Sequence, residues 1–342
     1  MMTLDFVSSI YSKTKISGIR YGYAKNQTPG LPDTGKAPIA AARVNPTLIM
    51  QSHFTLLLLA IYILLFAGCG VETGQDDRPV VSVSILPQKY FVERIAGDNF
   101  RVNVLVPPGA SPETYEPTPG QIRDVANSLF YFSIGYIDFE RTILNNVLSG
   151  NSGPVRINTS EGMDLIASEI VDHGDHVHLY GVDPHIWVSI PGAKVQVRNI
   201  TAALIQADRK NKEFYLENFA SFNDEIDALH ASFTEKFGNA ERNTFLVFHP
   251  SLGYFARDYQ LEQIAVEQDG KSPTAANMRK IVDLASQEGI RDIFIQMEFE
   301  RESAKAVARE LGGDVIEIDP LSENWLKTME ELGEKMYAVL NN

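Results

Sequence analysis

The sequence of 342 residues contains a single cysteine, no apolar run long enough to cross a bilayer, and little positive charge over most of its length. Cys69 stands alone, so the chain can form neither an internal disulfide nor a multi-cysteine zinc site. The uncharged apolar run from Phe54 to Ala67 covers 14 residues, whereas a spanning helix needs about 20. Residues 1–49 carry six Lys or Arg against Asp5 and Asp33, a balance of +4, and residues 50–68 carry no charge, so residue 69 onward carries -18 and the whole chain -14. A body this acidic argues against nucleic acid, whose phosphates require a basic footprint. It suits a soluble domain that attracts cations, although acidic surfaces also serve solubility alone.

The short apolar run does fit the h-region of a secretory signal, followed by the small residues of a cleavage site. It ends in Leu65-Phe66-Ala67-Gly68-Cys69, which resembles a bacterial lipobox, where the cysteine is lipidated and becomes the new N-terminus. Phe66 stands where such motifs usually have Leu. The alternative is a buried apolar helix that ends in a chance cysteine. Residues 1–49 are rich in Gly, Pro, Ser and Thr without a sustained period, and read as a non-native or disordered extension. Met50, just before the apolar run, is the expected start of translation rather than Met1, although Gln51-Ser52-His53 lacks the positive charge of an ordinary n-region. Residues 50–68 are then a lipoprotein signal peptide and residues 69–79 a polar tether.

The remaining chain is long enough for two cores, and its composition, 44% hydrophobic and 22% charged, is that of a globular protein. Val80 to Leu86 reads as a buried strand, Gln88 to Ile95 as a helix, Arg101 to Val106 as a strand stopped by Pro107-Pro108-Gly109, Pro119 to Asn127 as a helix and Leu129 to Ile134 as a strand. From Ala193 to Phe237 the pattern is helical, with Val197, Ile200 and Leu204 on one apolar face and Phe222, Ile226, Leu229 and Phe233 on another. A second alternating set follows, with strands at 244–248, 264–266, 292–295 and 314–318 and helices at 275–288, 301–311 and 325–340. Such alternation predicts an α/β fold of two lobes, each with a mainly parallel sheet flanked by helices. We place an N-terminal lobe at 80–190, a helical linker at 191–240 and a C-terminal lobe at 241–342.

Ligands in open α/β sheets gather at the carboxyl ends of strands. Four segments put metal-competent side chains at such ends or in turns: Gly109-Ala110-Ser111-Pro112-Glu113-Thr114-Tyr115-Glu116-Pro117-Thr118-Pro119, Asp183-Pro184-His185-Ile186-Trp187, Phe248-His249-Pro250-Ser251-Leu252-Gly253-Tyr254, and Asp319-Pro320-Leu321. Taken singly, each has an ordinary explanation. A lone His249 is more often a hydrogen-bonded structural residue than a ligand, and Pro112-Glu113 or Asp319-Pro320 could be turn chemistry.

Taken in order, with Gly270-Lys271-Ser272-Pro273-Thr274, these segments resemble the metal-binding subunits of zinc and manganese ABC importers, the cluster A-I solute-binding proteins, from about Val80 to the C-terminus. The resemblance implies an ion held between the lobes by Glu113, His185, His249 and Asp319. It implies delivery to a membrane permease, and a monomer on the outer side of the cytoplasmic membrane or in the periplasm, tethered through lipid on Cys69. Glu113 departs from the family, which usually has His there. Glu remains a competent zinc ligand, but oxygen in place of nitrogen shifts the balance toward Mn2+ or Fe2+. Glu113 standing aside, with water in its place, is the other reading.

A second cluster, His173, His176 and His178, resembles the His-rich loop of zinc-binding members and would collect metal at the cleft; the alternative is a solvated surface loop. Imidazole suits zinc better than manganese, so zinc is the expected cargo. His230, in a polar helical stretch, is expected to be exposed. Lys271 to Thr274 would support a loop near the site without touching metal. The rival from another class is a metal-dependent hydrolase, with Glu116, Glu298 or Glu300 as general base. It needs an open coordination position, and no His-Glu-x-x-His or nucleophile motif accompanies it. A receptor for a metal chelate would need a roomy cleft lined by aromatic or basic residues. An adhesin on the same fold is a further alternative.

Overall fold

The computed structural model describes residues 76–148, 153–172, 177–267 and 274–342. The signal segment, Cys69, His173, His176 and Lys271 to Pro273 lie outside the described residues. Among the described residues, no helix is long and apolar enough to cross a membrane.

Two four-stranded parallel sheets organise the chain. The first has the order β2-β1-β3-β4, with β1 Val80–Val83, β2 Arg101–Val104, β3 Phe130–Ser133 and β4 Val155–Asn158. The second has the order β10-β9-β7-β8, with β7 Thr244–Val247, β8 Glu262–Ala265, β9 Ile293–Gln296 and β10 Val315–Ile318. Between them in sequence lies an antiparallel hairpin, β5 Ala167–Asp172 paired with β6 Val177–Val182. Parallel strands need crossovers. These are supplied in the first lobe by α1 Leu86–Ala96, α2 Pro119–Ala126, α3 Asp138–Arg141 and α4 Ile143–Leu148. In the second they are α7 Gly253–Asp258, α8 Ala275–Gln287 and α9 Arg301–Leu311, with α10 Trp325–Leu340 closing the chain. Strands covered on both faces read as unbroken apolar runs, and β3 and β9 are buried at every position.

The helical stretch between the lobes is two helices, α5 Ile190–Ala207 and α6 Lys212–Gly238. Ser189 caps α5 by accepting the Gly192 amide at 2.9 Å. Its buried face, Ile190, Ala193, Val197, Ile200 and Leu204, keeps the three-and-four spacing of an amphipathic helix. The break falls at Asp208, whose carboxylate accepts from Asn211 Nδ2 at 2.7 Å and the Tyr215 hydroxyl at 2.9 Å. A polar side chain that bonds locally in this way competes with helix continuation.

One apolar core runs through both lobes and the linker, from Val81 and Phe132 through Phe222 to Phe294 and Leu340. Trp325, fully buried, joins them: its ring meets Phe91 of α1 edge-on at 5.0 Å and Phe222 of α6 at 6.3 Å, and its Nε1 donates to the Trp187 carbonyl at 2.7 Å. The two halves therefore share packed side chains, which favours small displacements over wide hinge opening. α10 crosses α6 where Gly333 faces Phe233, and a Cβ at residue 333 would come within 2.1 Å of Phe233 Cζ. Gly333→Ala is expected to destabilise the protein by about 1–3 kcal/mol, read as a lower urea midpoint; an unchanged midpoint would mean the crossing yields at no cost.

At the carboxyl edge of the first sheet, a buried carboxylate ties the strands together. Glu140 accepts from the Tyr131 hydroxyl at 3.1 Å and the amides of Ile134 at 2.9 Å and Gly135 at 2.5 Å, and also from Ser84. Burial pushes its pKa up, and the Ser84 hydroxyl and the Ile134 and Gly135 amides oppose the shift.

Candidate metal centre

The loop bearing Glu113 begins where the first sheet stops. Leu105 and Val106 still donate to Val83 and Ser84, but Pro107-Pro108 has no amides to continue the ladder, and Gly109 turns the chain at φ 77°. Thr114 N donates to the Ser111 carbonyl at 3.3 Å, leaving Pro112 and Glu113 at the corner of a turn. Thr118 then starts α2 with a reciprocal cap, since Gln121 N donates to its hydroxyl and its own amide donates to Gln121 Oε1 at 2.9 Å.

His185 is set by its own neighbour. The Asp183 carboxylate accepts from the His185 amide at 2.9 Å and bonds its Nδ1 at 2.7 Å. His249 follows β7 and Phe248, whose amide donates to Phe294 at 2.8 Å. Its Nδ1 lies 2.6 Å from Glu267 Oε2, at the end of β8, and its ring stacks on Phe299 at 4.6 Å and 20°. Both imidazoles therefore present Nδ1 to a carboxylate. An ionised carboxylate only accepts, so each Nδ1 carries a proton, and Nε2 is the ring atom turned inward, able to ligate an ion once it is itself unprotonated.

Those two Nε2 atoms are 3.3 Å apart. Glu113 completes a triangle, with Oε2 3.2 Å from His249 Nε2 and Oε1 3.6 Å from His185 Nε2. Zinc bonds of about 2.0–2.2 Å at the tetrahedral angle call for donor separations of about 3.3–3.6 Å. The triangle has the dimensions of one face of such a site. His185 and His249 are buried while the Glu113 side chain remains 31% exposed, so the carboxylate faces solvent and the imidazoles form the floor. Burial raises the Glu113 pKa, but hydrogen bonding from His249 and the nearby imidazole charges more than offset it, leaving Glu113 below its ordinary value. Burial lowers His249, and Glu113 and Glu267 outweigh that, leaving it above its ordinary value.

Three of the four nominated ligands are thus brought together, and the fourth is not. Asp319 follows β10 at the same edge of the sheet but stands outside the group formed by Glu113, His185 and His249. It lines a small cleft with Ile85, Pro107, Gly109 and Leu321, and burial pushes its carboxyl up. His178 lies in β6, its backbone paired with Val171, and residues 173–176 connect the two strands outside the described residues. Against expectation, His230 is part-buried, with Nδ1 3.2 Å from the Tyr259 hydroxyl. Thr274, of the Lys271 to Thr274 segment, caps α8.

Sequence reasoning missed Glu267 and Phe299, which orient His249; only the place of Glu267 at a strand's carboxyl end could have drawn attention to it. It also gave Tyr254 no role. The buried Tyr254 hydroxyl accepts from the Ile166 amide at 3.1 Å and donates to the Asp183 carbonyl at 2.9 Å, fastening the segment of His185 to the helix after His249. Removing the partner of a ligating imidazole typically costs 10–100-fold in affinity. Glu267→Ala is expected to weaken metal binding by about 10–100-fold in a chelator-competition titration; wild-type affinity would show that Glu267 plays no part in orienting His249.

A family model for zinc-uptake complex component A, periplasmic (ZnuA), matches residues 81–339. The high-affinity zinc uptake system protein ZnuA of Bacillus subtilis (strain 168) is 28% identical over 271 residues, covering 75% of this chain and 85% of that protein. The manganese ABC transporter substrate-binding lipoprotein PsaA of Streptococcus anginosus is 26% identical over 280 residues, covering 76% and 87%. A crystal structure of ZnuA superposes with a TM-score of 0.71 at 33% identity, covering 78% of this chain and 100% of that one.

Proposed function

We propose, from the premise that this chain belongs to the periplasmic zinc-uptake complex component A family, that it captures a divalent transition-metal ion, zinc first, and delivers it to the permease of an ABC importer. The family is one of transport binding components rather than enzymes, which removes the support for a hydrolase. The observation that carries the reading is the inward convergence of His185 Nε2, His249 Nε2 and the Glu113 carboxylate, with each imidazole held from behind by an acid. The donors come from both lobes, so a bound ion would tie the halves together, and the ion is cargo, not a reagent.

Asp319 is the fourth ligand in this reading and closes onto the ion when it enters. Two imidazoles favour zinc, while the two carboxylates keep Mn2+ and Fe2+ in competition. His173, His176 and His178 would collect ions at the cleft, and lipid on Cys69 would hold a monomer beside its permease on the outer face of the cytoplasmic membrane. Stable anchoring takes more than one acyl chain.

Protons compete for the same lone pairs. The pKa of His249 is raised, so below that value the imidazole carries a proton that the ion must displace, and above it the ligand is free. Metal affinity should therefore rise with pH and level off once His249 is neutral. Below that point it should fall by about tenfold per pH unit for each proton displaced. Competition titrations with zinc and manganese across pH 5–8 test the proposal; a flat profile, or no binding of either metal, overturns it.

A further inference from the structure

The triangle formed by Glu113, His185 and His249 covers one face of an ion and leaves the opposite side to be filled. The carboxyl edge of the second sheet, where β7, β9 and β10 lie side by side, carries further acids that stand outside that group. His249 follows β7 and Asp319 follows β10. On β9, Gln296 is in register with Ile318, which places Glu298 two residues beyond that pair and Asp319 one beyond it. Phe299, the next residue, stacks on the His249 ring at 4.6 Å, so the turn after β9 lies against the metal-facing imidazole. Glu298 Oε1 is inaccessible to solvent and has no hydrogen-bond partner. A buried carboxylate oxygen without a donor is costly, and a native protein that keeps one gives reason to look for the group that satisfies it.

The electrostatics point the same way. Burial pushes the Glu298 carboxyl up, its own backbone amide opposes that, the Asp319 charge adds to the rise, and His249 and His185 both oppose it, so Glu298 feels the acid and both histidines together.

We propose that Glu298 is a metal-contacting carboxylate of this cleft, acting with Asp319 to supply oxygen donors on the side of the ion that the triangle leaves uncovered. This rests on the metal-capture reading above and adds a donor to it. With Glu298 included, the ion meets two imidazoles and three carboxylates, a harder set than four-coordinate zinc requires. Oxygen-rich, higher coordination suits manganese, so Glu298 broadens the range of cargo.

The test uses the full-length chain and its Glu298→Gln variant, which keeps the side-chain volume, with Glu298→Ala as a second variant. Zinc and manganese affinities are measured by chelator competition, and the visible spectrum of the cobalt-loaded protein reports the ligand set. The expected result is a loss of about tenfold or more for manganese, a smaller loss for zinc, and a shifted cobalt spectrum. Folded variants that bind both metals like wild type, with an unchanged cobalt spectrum, overturn the role of Glu298 and leave the capture function standing. A wild-type chain that binds neither metal removes both.

Discussion

Replacing His249 with alanine is expected to lower metal affinity by more than about 100-fold while the chain stays folded. The loss of a partner behind a ligating imidazole already costs up to about 100-fold, and this substitution removes the ligand itself. His249 is also where the donors meet: its Nε2 lies 3.3 Å from His185 Nε2 and 3.2 Å from Glu113 Oε2, and its Nδ1 holds Glu267. Without it the triangle of Glu113, His185 and His249 loses one corner and the site loses one of its two imidazoles. A chromophoric-chelator titration measures the affinity, and circular dichroism checks that the fold is retained. A folded His249→Ala protein with wild-type affinity would move the metal elsewhere in the molecule.

Trp325→Ala is expected to have the largest effect on stability, about 3–5 kcal/mol. The side chain is fully buried and packs against Phe91 and Phe222, so truncation opens a cavity where both lobes and the linker meet. It also strips the Trp187 carbonyl of its indole donor, and a buried acceptor left unpaired adds to the cost. Trp187 lies two residues from His185 and its ring is 5.1 Å from the imidazole, so the damage should reach the metal site as weaker binding. Equilibrium urea unfolding measures the change. The same truncation at Phe214, which is 43% exposed, serves as the control and should be close to neutral. A loss below about 1 kcal/mol for Trp325→Ala would mean that the two lobes are not joined through this contact.

Much of this fold is legible in the sequence because parallel strands covered on both faces leave short apolar runs, and amphipathic helices leave stripes at three-and-four spacing. The helices 301–311 and 325–340 are found where the pattern puts them. Strand ends are less legible. The run Val80 to Leu86 reads as one strand, but the strand ends at Val83 and α1 starts at Leu86, because Pro87 fits the first turn of a helix and cannot extend a central strand. The edge strand β4 has Val155 46% exposed and no apolar run to mark it. The β5–β6 hairpin carries the His-rich tract, whose polar composition hides a strand. The linker breaks at Asp208 because of a local hydrogen-bond cluster that periodicity does not encode.

The site divides in the same way. Glu113, His185 and His249 are readable because each sits in a Pro- or Gly-bounded motif that, taken in order with the others, resembles the family's. Glu267 and Phe299 reach His249 only through the strand order β9-β7-β8, a tertiary fact. Asp319 sits at the end of β10 as the motif implies, yet outside the triangle.

The most direct test of metal capture is the metal content and stoichiometry of the purified chain, by elemental mass spectrometry on native protein and by isothermal titration of the chelator-stripped protein. One tightly held ion per chain, zinc in preference, and lost in His249→Ala, is the expected result. Absence of a stoichiometric metal from the native protein, with no saturable binding of zinc, manganese or iron after stripping, would contradict it.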